Sequence, residues 1–130
     1  MEVKFKVPGN PKGKQRPRIC RINGRSIAYT PKQTVEYEKL IRASYAASSN
    51  VFFEKNIPLE MSIIALFSIP NYPTDEWHLK RPDFDNIIKI IMDALNGVCY
   101  HDDEQICRIY FEKKYADIPE TKITIKETRL

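Results

Sequence analysis

The sequence predicts an α+β domain, a mixed β-sheet of about five strands carrying two main helices, and three local patterns lead to it. Val3, Phe5 and Val7 alternate with Lys4 and Lys6, as a half-buried first strand does. Asn23-Gly24 stands between two extended runs, a strong hairpin signal. Ile87, Ile88, Ile91, Ala94 and Leu95 form an apolar stripe at helical spacing, and Asn96-Gly97 follows where such a helix ends.

The remaining elements follow in order. Pro8 to Pro17 is rich in Pro, Gly and basic residues and reads as an exposed loop. Arg18–Ile22 and Arg25–Tyr29 are the arms of the hairpin. Thr30, Pro31 and Gln33 fit an N-cap, a first-turn proline and a capping-box partner. A helix is therefore expected to about Ser48, with Val35, Leu40, Ile41 and Tyr45 inward and Asn50 as a stop. Leu59–Ile69 is apolar at nearly every position, as a strand covered on both faces would be, and Pro70-Asn71-Tyr72-Pro73 ends it. Asp85 or Asn86 is expected to cap the second helix. Ile106–Tyr115 and Thr121–Glu127 complete the set, with Ile123 and Ile125 inward.

The length of 130 residues suits one domain spanning 1–130, and no repeat or linker divides it. An apolar fraction of 42% rules against a disordered chain. No apolar run approaches the roughly 20 residues of a membrane-spanning helix. The N-terminus alternates and lacks the apolar stretch of a signal peptide, so a cytoplasmic location without membrane partners is expected. Cys20, Cys99 and Cys107 are odd in number and form no CxxC pair, which argues for reduced thiols over disulfides or a zinc site.

The net charge is only +4, but it is unevenly spread. Lys4, Lys6, Lys12, Lys14, Arg16, Arg18, Arg21 and Arg25 face a single acid, Glu2, in the first 25 residues. Asp75, Glu76, Asp83, Asp85, Asp93, Asp102, Asp103 and Glu104 crowd a later segment. One segment attracts a polyanion and the other gathers a cation, and an enzyme cutting phosphodiesters with a metal needs both.

Asp83-Phe84-Asp85 is the first candidate. In an extended segment side chains two apart point the same way, and hard cations such as Mg²⁺ take carboxylate oxygens. The same acids would serve equally well as helix caps. Asp102-Asp103-Glu104, in the turn after the second helix, is either a cation site or a solvated acidic turn. Lys89 lies four residues after Asp85 and four before Asp93, as an exposed ion-pair ladder or as an ammonium steadying phosphate charge. His78 and His101 are isolated, and no Gly-rich phosphate loop, GxSxG or HExxH motif occurs.

Three strings occur together: Lys80-Arg81-Pro82-Asp83-Phe84-Asp85-Asn86-Ile87-Ile88-Lys89, then Asp93-Ala94-Leu95-Asn96-Gly97, then Asp102-Asp103-Glu104-Gln105-Ile106. In order and spacing they resemble the signature of the RusA family of Holliday junction resolvases, R-x-D-x-D-N-x-x-K, D-A-L-N-G and D-D-x-Q-[IV]. Pro8-Gly9-x-Pro11-x-x-Lys14-x-Arg16-Pro17-Arg18 is similar to the family's N-terminal segment. The resemblance implies a small α+β homodimer, many of whose relatives lie in phages or prophages, that nicks opposing strands of a four-way junction with Mg²⁺, or with Mn²⁺ as an alternative. It also implies that Asp83, Asp85 and Asp103 are the essential metal-binding carboxylates, Asp102 a supporting acid and Lys89 the catalytic lysine. Pro82 departs from members with a basic residue at that position.

On this reading Lys12, Lys14, Arg16, Arg18, Lys80 and Arg81 contact the phosphates of branched DNA without reading sequence. A C2 dimer matches the two-fold symmetry of a four-way junction. Tyr29, Phe84 and Trp77 serve in packing or stack on an unpaired base. Two rivals stand beside it: a metal-dependent nuclease for flaps or forks, and a non-catalytic phage DNA-binding module.

Overall fold

The computed structural model describes residues 1–129, and its elements follow the expected order. They are β1 (Glu2–Pro8), β2 (Arg18–Ile22), β3 (Arg25–Tyr29), α1 (Lys32–Ser48), β4 (Leu59–Ser68), α2 (Phe84–Leu95), β5 (Ile106–Ala116) and β6 (Glu120–Glu127). A short 3-10 turn, Asp103–Gln105, leads into β5. The chain is an α+β fold.

The main sheet has the order β1-β6-β4-β5. β4 runs parallel to β5 and antiparallel to β6, which pairs antiparallel with β1, so the sheet is mixed. It holds four strands, while β2 and β3 form a separate two-stranded ribbon. The ribbon stays apart because it has no apolar face to lay on the sheet: Arg18, Arg21 and Arg25 interrupt its isoleucines, and all its residues except Cys20 are exposed. Asn23 and Gly24 both take positive φ at its tip, as the sequence pattern requires.

Register explains the core. Val3, Phe5 and Val7 of β1 meet Ile125, Ile123 and Thr121 of β6, which meet Met61, Ile63 and Ala65 of β4, all on the buried face. α2 covers that face with Ile87, Ile90, Ile91, Ala94 and Leu95, each fully or almost fully buried. Each of the isoleucine and leucine side chains is worth about 1.5–3 kcal/mol of burial. α1 contributes Thr34, Tyr37, Ile41 and Tyr45. The Tyr37 hydroxyl lies 3.2 Å from Thr121 Oγ1, and the Tyr45 ring packs edge-on against Phe5 at 5.3 Å.

Several details differ from the sequence reading. Leu40 is exposed and Val35 half-buried. The stripe through Ile41 and Tyr45 continues backwards to Tyr37 and Thr34, because helical neighbours lie three and four apart. α1 starts after Pro31 with no side-chain cap, so Thr30 does not cap it and Gln33 forms no capping box. β4 is buried on one face only, and Glu60, Ser62, Ile64 and Leu66 on the other are half-buried. The cross-strand neighbours there are polar or charged, including Lys122, Thr124 and Lys126.

Among the described residues no helix is long and apolar enough to cross a membrane. Cys20, Cys99 and Cys107 are all free thiols.

Candidate active site

Asp83 and Asp85 straddle the start of α2. Asp83 is the N-cap, one position earlier than Asp85 or Asn86, the expected caps, and its carboxylate makes no capping hydrogen bond. Asp85 is already in the first helical turn, so the pair does not share one extended segment. Both acids are exposed. The helix terminus favours their negative charge, and no cap uses up the Asp83 oxygens. Phe84 between them is 57% exposed, its ring 6.0 Å from that of Phe111.

Asp83 lines a groove of about 690 Å³ together with Lys12, Lys14, Arg16, Arg81 and Asn86. Carboxylate and cations thus share one cleft. Arg16 and Lys12 come from the loop before the ribbon, brought there because that loop docks on α2, with Lys14 N–H donating to the Asn86 carbonyl at 2.8 Å. Arg18 stands on the exposed ribbon.

Lys14 and Lys80 behave differently from the other basic residues. The Lys14 ammonium turns inward, 3.2 Å from Asp93 and 3.4 Å from Glu38. Lys80 donates to the Tyr72 hydroxyl and lies 4.5 Å from the centre of that ring.

Lys113 lies close enough to feel the charge of Asp83 and is a candidate that the sequence reading did not name. On β5 it shares the helix-side register with Ile109, Phe111 and Tyr115, and its ammonium donates to the Lys80 carbonyl at 2.7 Å. Desolvation pushes its pKa down, opposed by the negative charge of Asp83. The available signal was a lysine at an inward position of an alternating strand. Nearby His78 stacks on Phe67 at 3.6 Å. Burial depresses its pKa, and Lys113 and Lys80 add to the effect.

The second acid pair lies at the other end of α2. Asp102 caps the 3-10 turn, accepting from Glu104 N–H at 3.3 Å. Gln105 completes that box: its side-chain oxygen accepts from the backbone of Asp102 and His101, and its amide donates to the Glu54 and Ile57 carbonyls. Asp103 instead accepts from the Asn96 side chain at 3.4 Å. Burial raises the pKa of the adjacent Tyr100 hydroxyl, with Cys99, Asp103, Asp93 and Asp102 adding to it. The His101 ring packs edge-on against Phe52 at 4.6 Å.

With 12 residues at a rise of 1.5 Å each, α2 itself spans about 18 Å between the Asp83 cap and the end to which Asp103 is tied. Among the described residues of one chain, no group of three or more His, Cys, Asp or Glu side chains is placed to hold a metal. Lys89 lies between the pairs, 3.6 Å from Asp93 and largely exposed. The chain alone therefore does not bring Asp103 to Asp83 and Asp85.

The family model described as Endodeoxyribonuclease RusA matches residues 8–126. The chain belongs to the RusA family. It is 27% identical over 132 residues to a protein of Lactococcus phage r1t named crossover junction endodeoxyribonuclease rusA, covering 99% of this chain and 98% of that one. It is 26% identical over 140 residues to the uncharacterized protein YqaN of Bacillus subtilis strain 168, covering 96% of each. The RusA match takes in both acid pairs, Lys89, Lys113 and the basic loop.

Proposed function

We propose that this RusA-family chain is a structure-specific endonuclease that resolves four-way DNA junctions by paired symmetric nicks, acting as a homodimer with a divalent cation. The observation that carries the reading is the Asp83 carboxylate, uncommitted to capping and set in a groove walled by Lys12, Arg16 and Arg81.

The donor set fits a hard cation. Asp83, Asp85 and Asp103 offer carboxylate oxygens, the ligands Mg²⁺ takes, with Mn²⁺ as an alternative. When bound, the cation supplies Lewis-acid stabilisation of phosphate charge and makes water more acidic. Asp83 and Asp85 would hold it at the mouth of the groove. Lys12, Arg16 and Arg81 would seat the phosphates, and Lys89, on the exposed face of α2, would place positive charge where negative charge develops. Arg18 on the ribbon, with Arg21 and Arg25, extends this basic surface along a DNA arm.

The separation of the acid pairs supports a site shared between protomers. A second copy related by a two-fold axis would bring its Asp103 end to the Asp83 end of the first, and the same operation would build a second, identical site. Two equivalent sites per dimer suit two opposing strands. Asp102, committed to its turn, would hold Asp103 in position.

The test is cleavage of an end-labelled synthetic four-way junction beside a linear duplex with the same arms, with and without Mg²⁺. Faster junction cleavage, dependent on the metal and giving nicks at symmetric positions, is expected. Equal rates on both substrates would reject junction specificity, and faster cutting of flaps or forks would replace it with a different nuclease activity.

A further inference from the structure

The basic loop is fastened to α1 and α2 by contacts of its own. Gly13 passes so close to the start of α2 that a Cβ there would lie 2.9 Å from the Pro82 Cβ and 3.0 Å from the Asn86 Cβ. Only a residue without a side chain fits without a shift of this segment. Beside it, Lys14 N–H donates to the Asn86 carbonyl at 2.8 Å. The Lys14 ammonium reaches Asp93 at 3.2 Å and Glu38 at 3.4 Å, with side-chain exposures of 21%, 26% and 14% for the three residues. Gln15 adds two contacts to α1, its backbone N–H to Thr34 Oγ1 and its amide to Gln33 Oε1, each at 3.3 Å.

We infer that Gly13 and Lys14 are positioning residues, a staple that holds Lys12 and Arg16 over Asp83, and that Lys14 contacts no DNA. The inference rests on the reading of the groove as the DNA site. Its physical basis is that flexible loop lysines lose entropy when they bind phosphate, and a docked loop has lost it already. Lys14 suits the task because a mostly buried ammonium between two carboxylates is held more firmly than an exposed pair. The same Asp93 oxygen also takes Lys89, at 3.6 Å, so one carboxylate joins the loop to the helix face that carries the proposed catalytic lysine.

The discriminating experiment is junction binding at graded salt, without metal, for Lys14→Met, Asp93→Asn, their double variant, Gly13→Ala and Lys14→Arg. A staple predicts that Lys14→Met and Asp93→Asn each weaken binding about tenfold and that the double variant is no worse than either, the non-additivity of a shared contact. Gly13→Ala should weaken binding likewise, and Lys14→Arg should restore most of it. If Lys14 touched phosphate directly, removing it would lower the salt slope by about one contact, and removing the acidic Asp93 would leave binding equal or tighter. That result overturns the inference. Amide exchange without DNA provides an independent readout. Residues 12–16 should lose protection in Lys14→Met, Asp93→Asn and Gly13→Ala while β4 keeps its own, and unchanged loop protection would also overturn it. If the wild-type protein bound no junction, the DNA reading would fail, whereas the exchange measurement would still decide the staple.

Discussion

The Asp103 carboxylate accepts a hydrogen bond from the Asn96 side chain at 3.4 Å, which ties it to the end of α2 opposite the Asp83 N-cap. The two residues of the second acid pair consequently have different work. Asp102 spends a carboxylate oxygen, Oδ2, on the 3-10 turn and Asp103 does not.

Asp103→Asn should abolish cleavage while leaving the melting temperature close to that of the wild type. Asp102→Asn should retain measurable cleavage. Asp102→Ala should cost about 1 kcal/mol of stability through the lost cap. Thermal unfolding paired with junction cleavage checks this, and equal loss of activity in Asp102→Asn and Asp103→Asn would refute the division of roles.

Lys113→Met should slow cleavage about tenfold, or about 1.4 kcal/mol of barrier. The ammonium holds the Lys80 carbonyl just before Asp83 and offsets that residue's charge. Single-turnover rates at saturating Mg²⁺ measure the effect, and a wild-type rate would remove Lys113 from the site.

Arg16→Ala should weaken junction binding and lower the slope of log affinity against log salt by about one unit, as loss of one phosphate contact does. An unchanged slope would mean that Arg16 faces solvent in the complex.

Much of this was legible in the sequence because local patterns and global fold agree. The alternation of Val3, Phe5 and Val7, the Asn23-Gly24 turn and the α2 stripe each place an element within a residue or two of its position. The inward face of α1 was harder to read. Leu40 is the more apolar choice, but Tyr37 shares the stripe of Ile41 and Tyr45, and its buried hydroxyl is satisfied by Thr121, a partner 84 residues away. The half-buried face of β4 was misread for a related reason, since an apolar run does not reveal whether a second layer exists.

At the site, the spacing of Asp83 and Asp85 singled out the two acids at the start of α2 but not their geometry, because the helix begins between them. Lys14 carries the same charge as Lys12 and Arg16, and only the fold shows its ammonium turned to Asp93 and Glu38. Lys113 escaped notice because its contact with the Lys80 carbonyl arises only once β5 lies beside that segment.

His78 gives a pH dependence to stability. Its folded-state pKa is lowered, chiefly by burial, while the unfolded value is about 6.5. Above that value both states are neutral and the group has no effect. As pH falls below it, the unfolded chain takes the proton first, so stability declines toward the folded pKa. His78→Phe keeps the stacking on Phe67 and should flatten this part of the decline below about pH 6.5. Urea unfolding across that range measures it, and an unaltered profile would rule out His78 as the cause.

The composite site can be examined most directly by mixing subunits. Asp83→Asn and Asp103→Asn homodimers should each be inactive, and a heterodimer formed by co-refolding them should recover one intact site. It would then nick a single strand of the junction in the presence of Mg²⁺, because one of its two sites draws only wild-type acids from both chains. Continued inactivity of a verified heterodimer that binds the junction would contradict a site shared between protomers.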